Sequence, residues 1–95
     1  MENKRALAMS PKDNVAVALE NILPADEVAI QVKGEKARSI RALETIPFGF
    51  KVALESIPQG GSIYKYGETI GRATKDIKTG EQVHIHNIQG VRVQG

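Results

Sequence analysis

The only two histidines of this 95-residue chain stand one residue apart, in Glu81-Gln82-Val83-His84-Ile85-His86-Asn87. Imidazole titrates near neutrality and is the commonest nitrogen ligand of metals. Val83 and Ile85 alternate with the two histidines, which is the period-2 pattern of a half-buried strand. In that geometry both rings share the face opposite Val83 and Ile85, roughly 6–7 Å apart at a rise of about 3.3 Å per residue. Two imidazoles so placed can share an anion, orient a polyol or contribute ligands to one metal ion.

The elements that must position them are short. Asn14–Leu19 and Glu27–Val32 are β-branched stretches that alternate larger aliphatic residues with small or polar ones, followed by Lys51–Leu54, Ser62–Tyr66, Thr69–Ala73 and Gln82–Asn87. Between them a corner recurs: Ile22 to Val28, Ile46 to Val52, Ile57 to Ile63 and Ile77 to Val83 each place an aliphatic residue at both ends of a turn with Gly or Ala inside it. Gly tolerates positive φ and Pro presets φ, so these units read as tight turns pinned into a common core. No window of helical length carries an apolar stripe with caps. The best candidate, Ala37–Glu44, runs directly into Ile46-Pro47 and allows one short helical turn at most. The expected fold is all-β: a folded-over sheet or small barrel of short strands. The expected boundaries are an N-terminal extension over residues 1–9, the domain over 10–89 and a C-terminal tail over 90–95.

Composition narrows the function classes. One domain of this size holds a thin core and cannot enclose a deep active site alone. Thirteen basic and 11 acidic residues leave a net charge of +2. The four aromatics do not interleave with a basic stripe, so nucleic acid is not an expected partner. The densest basic run, Lys33 to Arg41, reads as a solvated loop and strand edge. The absence of cysteine rules out disulfides and thiolate metal sites. The first ten residues carry too short an apolar run for a signal peptide, and no stretch approaches a membrane span, so a cytoplasmic protein without membrane contact is expected.

Several elements together carry a family resemblance. Ile46-Pro47-Phe48-Gly49, Lys51-Val52-Ala53-Leu54, Ile57-Pro58, Gly60, Lys65-Tyr66-Gly67, Ile70-Gly71, Ile77, Gly80 and Val83-His84-Ile85-His86-Asn87 resemble the SAF-type domain of the altronate/galactarate dehydratase family, and Asp13 to Ala18 matches its opening strand. The resemblance implies a β-clip fold. It also implies a sugar-acid dehydratase in which this chain is the small subunit beside a large catalytic subunit, with a divalent metal of the iron or manganese type. The alpha subunit of a sulfolactate sulfo-lyase is equally similar. One departure stands out: the family reads Pro-x-Gly-His-Lys, and this chain carries Phe50 where that histidine would sit.

Elimination from a hydroxy acid needs a base, help for the leaving group and a clamp on the carboxylate. Under the resemblance His84, His86 and Lys65 are the candidate catalytic residues, and Lys51, Tyr66 and Asn87 the candidate substrate-binding residues. His84, His86 and Asp13 are the candidate metal ligands. Each has a plainer reading. His-x-His can decorate an edge strand, lysines are mostly solvated, Tyr66 can pack, Asp13-Asn14 suits a turn, and Phe50 is simplest as a packing residue. A non-catalytic module that binds a small sugar acid is the competing function. Apolar corners on so small a domain also favour homo-oligomers.

Overall fold

The computed structural model describes residues 3–33, 35 and 37–90. Nine strands follow one another: β1 Lys4–Ala8, β2 Val15–Ala18, β3 Glu27–Val32, β4 Arg38–Arg41, β5 Lys51–Ala53, β6 Ser62–Lys65, β7 Glu68–Ala73, β8 Gln82–Val83 and β9 Ile88–Gly90. No helix occurs among the described residues, so the all-β expectation holds. None is therefore long and apolar enough to cross a membrane. The segment expected to allow a helical turn, Ala37–Glu44, instead contains β4, which pairs antiparallel with β3. Tertiary pairing overrides a weak local preference there. Residues 4–8, assigned from the sequence to an extension, form β1 inside the larger sheet. Residues 91–95 of the expected tail lie outside the described residues, as do Gly34 and Lys36 of the basic run.

The larger sheet has the order β4-β3-β1-β2-β5-β8 and the smaller one β6-β7-β9. Alternation along the strands sends side chains to two cores. Ala6, Ala8, Ala16, Ala18, Ile22, Val28, Ile30, Ile46 and Val52 form the first. Val15, Ala53 and Val83 from the opposite face meet Ile57, Ile63, Ala73 and Ile77 in the second. Each fully buried valine or isoleucine side chain contributes about 1.5–3 kcal/mol relative to exposure.

The four corners fold as the sequence suggested and pair with one another. Backbone bonds Asp26 N–H to Leu23 O, Phe50 N–H to Pro47 O, Gly61 N–H to Pro58 O and Glu81 N–H to Lys78 O close the turns. Their third positions are Ala25, Gly49, Gly60 and Gly80, all at positive φ between 72° and 91°, as a type II turn requires. Ile22 bridges Ile46, and Ile57 bridges Ile77. The residue before one isoleucine of each pair caps the opposite corner: Asn21 Oδ1 accepts the Phe48 N–H, and Asp76 Oδ1 accepts the Gln59 N–H.

The smaller sheet is fastened to the larger one by Asp13 and Asn14. Asn14 Oδ1 accepts the Tyr64 N–H, while its Nδ2 donates to Ser62 O. Both residues are buried, so the strand-entry reading of this pair is what the fold uses.

Candidate functional site

The histidine segment departs from the strand expected of it. β8 ends at Val83, and His84 to Asn87 form a turn leading into β9 of the other sheet. Asn87 makes that turn. Its side chain is buried, with Oδ1 accepting the His84 N–H at 2.9 Å and Nδ2 donating to Gln82 O at 2.7 Å. The Asn87 and Ile88 N–H groups both donate to His84 O. Ile85, expected to point inward, is instead 82% exposed, and His86 is exposed beside it. The alternation that would converge the two imidazoles is therefore absent. The amide of Asn87, expected to reach a substrate, is engaged with backbone groups.

His84 itself is half-buried against Phe50. Lys51 pairs with Val83 and Val52 with Gln82, so one further step in this register sets Phe50 opposite His84. Their ring centroids lie 4.8 Å apart at an interplanar angle of 52°. Phe50 packs in turn against the first core, in agreement with its packing reading.

Asp13 also falls away from the proposed ligand set. Its Oδ2 accepts the N–H groups of Met9 and Tyr66, and its Oδ1 accepts that of Gly67. Three buried or half-buried backbone donors thus depend on one carboxylate, a strong arrangement because charge-assisted bonds exceed neutral ones. Among the described residues no three of His, Cys, Asp and Glu come together as a metal-binding group. The donors of the described residues do not assemble a divalent-ion site by themselves.

The structure does bring Lys65 against Tyr66 and within electrostatic reach of Lys51. β6 and β7 are joined by the two-residue turn Tyr66-Gly67, with φ of 56° and 76° and with Lys65 opposite Glu68. Two positive φ values in a two-residue hairpin loop define a type I′ turn, which matches the twist of its strands. Asp13 holds both turn N–H groups and so offsets the strain of a non-glycine residue there. The Lys65 ammonium sits 5.0 Å from the centre of the Tyr66 ring, a cation–π distance. The Tyr66 ring is 59% exposed.

Lys51 projects from the face of β5 opposite Val52, on the side where Ala53 enters the second core. Partial burial holds its pKa below the usual lysine value, and the nearby Lys65 ammonium lowers it further. The ion pairs among the described residues are Lys4–Asp26, Arg5–Glu20 and Arg41–Glu27. Neither Lys51 nor Lys65 has a carboxylate within ion-pair reach among those residues. Two cations that repel each other, neither in an ion pair, with an exposed phenol beside Lys65, make a place where an anion would relieve repulsion and replace lost solvation. Nothing in the one-dimensional pattern announced the closeness of Lys51 and Lys65. It arises from the fold, in which the second core and the bonds of Asp13 and Asn14 hold the hairpin on the larger sheet.

Comparison with known proteins gives a consistent result. The family model for the altronate/galactarate dehydratase SAF domain matches residues 4–91. An altronate dehydratase of Bacillus subtilis (strain 168) is 39% identical over 88 residues, covering 88% of this chain and 16% of that protein. That of Escherichia coli (strain K12) is 37% identical over 75 residues, covering 79% of this chain and 14% of that protein. The (2R)-sulfolactate sulfo-lyase subunit alpha of Paracoccus pantotrophus is 40% identical over 53 residues, or 56% of this chain and 79% of that subunit. The chain thus spans only about a sixth of the altronate dehydratases it matches and most of this sulfo-lyase subunit.

Proposed function

Because the chain belongs to the altronate/galactarate dehydratase SAF domain family, we propose that it is the accessory portion of a hydroxy-acid lyase and grips the substrate carboxylate through Lys51 and Lys65. The observation that carries this reading is the partly buried Lys51, which feels the charge of the Lys65 ammonium, with neither lysine in an ion pair among the described residues. A sugar acid such as altronate presents one carboxylate and a row of hydroxyls. The ammonium groups take the carboxylate, and the Tyr66 phenol stands beside them as a hydrogen-bond partner for a hydroxyl.

Clamping of this kind does chemical work in an elimination. Placing positive charge at the carboxylate eases loss of the neighbouring proton, because the charge that develops on proton removal is delocalised toward those oxygens. It also fixes the reacting carbon relative to groups on the larger catalytic partner that the reading requires. In this reading the base and the assistance to the leaving hydroxide fall to that partner, since the described residues assemble no acid–base pair or metal group. His86, exposed on the turn after β8, is the imidazole left accessible to it.

Co-expression with a large dehydratase-type subunit tests the proposal. Reconstituted elimination of water from altronate is expected, and Lys51→Met should lower kcat/KM at least tenfold, through a fall in kcat as well as a rise in KM. A reconstituted enzyme indifferent to both Lys51→Met and Lys65→Met would refute the clamp. A second reading, a sugar-acid-binding module without a catalytic partner, draws on the same lysine pair. It predicts carboxylate binding by the chain and no elimination with any large subunit.

A further inference from the structure

We infer that this chain does not itself hold the divalent metal implied by its family resemblance, and that Phe50 and His84 form a packed closure of the β5–β8 edge in place of a ligand site. The inference stands on geometry apart from the lysine clamp, so either can fail alone.

Consider first the imidazole of His84. Phe50 covers it at 4.8 Å between ring centroids and is itself seated on the first core. A phenyl ring offers no lone pair, so the residue packed against His84 supplies no second ligand. The backbone of His84 is fixed as well: its N–H goes to Asn87 Oδ1, and its carbonyl accepts from Asn87 and Ile88. Converging His84 with His86 in an extended strand would break those bonds. His86 lies beyond Ile85 on the exposed part of the turn.

The third expected ligand is committed elsewhere. Drawing Asp13 to a cation would strip acceptors from the N–H groups of Met9, Tyr66 and Gly67. Unsatisfied buried donors are costly enough to oppose such a switch. Protein sites for transition metals commonly take three or four side-chain ligands, and no triad of His, Cys, Asp and Glu assembles among the described residues. Any metal used in the lyase reaction is then held by residues of the partner.

The same geometry assigns position 50 a deciding role. Directly opposed residues of an antiparallel pair have Cβ atoms roughly 4.5–5.5 Å apart. An imidazole replacing the Phe50 ring would therefore stand beside His84, close enough for both to reach one ion.

Titration of the full chain with Co²⁺, followed by visible absorption and by the histidine ring signals in NMR, tests the inference. The wild-type protein is expected to show no saturable one-to-one site involving both rings. Phe50→His should tighten Co²⁺ binding at least tenfold, and His84→Gln in that background should remove the gain. Because Phe50→His could disturb packing, Phe50→Leu supplies an independent readout. The His84 ring protons should shift as the phenyl ring current is lost, while those of His86 stay in place. A wild-type site in which both rings shift together at one equivalent of Co²⁺ would overturn the inference. So would a folded Phe50→His protein with no gain, or His84 protons that ignore Phe50→Leu.

Discussion

Asn87 separates a structural from a ligand-binding account most sharply. In this fold its amide spends both ends on the chain itself, accepting from His84 N–H and donating to Gln82 O. Asn87→Ala removes both bonds and leaves a half-buried N–H and a half-buried carbonyl without partners. An unsatisfied buried group costs about 1–3 kcal/mol, with less where water can enter. The two losses together therefore amount to roughly 2–4 kcal/mol, a large part of the ~5–15 kcal/mol that stabilises a typical domain. For a chain of this length that corresponds to a fall in Tm of roughly 10–25 °C. Urea and thermal unfolding followed by circular dichroism would measure it. Asn87→Asp provides a chemical check, because it keeps the acceptor for His84 and sets a carboxylate oxygen against the Gln82 carbonyl. Repulsion and burial would raise that carboxyl's folded-state pKa above its unfolded value. The variant should therefore regain stability as pH is lowered and lose it as pH rises through the folded pKa. Stability of Asn87→Ala within about 0.5 kcal/mol of wild type, the range of ordinary surface changes, would refute the assignment.

Three further outcomes follow from the same coordinates. Gly80 and Gly49 share positive φ, but a Cβ on Gly80 would lie 2.1 Å from Arg41 O whereas one on Gly49 meets nothing within 4 Å. Gly49→Ala should thus cost only the left-handed backbone strain of about 1–2 kcal/mol, and Gly80→Ala clearly more, as compared by urea midpoints. Burial first and Lys65 second depress the Lys51 pKa, so the folded state binds that proton less tightly than the unfolded chain. Stability should rise with pH as Lys51 deprotonates below the ordinary lysine value of 10.5. Lys51→Met should abolish this rise and stabilise the protein at neutral pH by up to about 1 kcal/mol, a small figure because the half-buried group keeps part of its solvation. Asp13→Ala should cost about 2–4 kcal/mol and speed hydrogen exchange at the Tyr66 and Gly67 amides, which native-state exchange by NMR would detect.

What could be read from the sequence was mostly local. The four isoleucine-flanked corners were visible because turn chemistry depends on a few residues, and Gly or Ala at positive φ leaves a recognisable mark. Asp13-Asn14 read correctly as a turn element for the same reason. β4 was missed because nothing within Arg38–Arg41 favours a strand strongly; its partner β3 supplies the hydrogen bonds. β1 was hidden in an apparent extension until its parallel pairing with β3 and antiparallel pairing with β2 fixed it. The His-x-His segment misled in the opposite direction. Its alternation suits a strand, yet one buried asparagine four residues after Val83 turns the chain into the second sheet. Periodicity carries no information about such a long-range switch. The lysine pair was likewise legible as two residue types, and its proximity only as a fold.

The central claim is tested most directly by titrating the chain with altronate while following the lysine side-chain ammonium and methylene signals by NMR. The expected result is saturable movement of the Lys51 and Lys65 signals together with the Tyr66 ring, lost in Lys51→Met and absent with a neutral polyol of the same length. Altronate binding that leaves both lysines unmoved, or equal responses to altronate and the neutral polyol, would contradict the account.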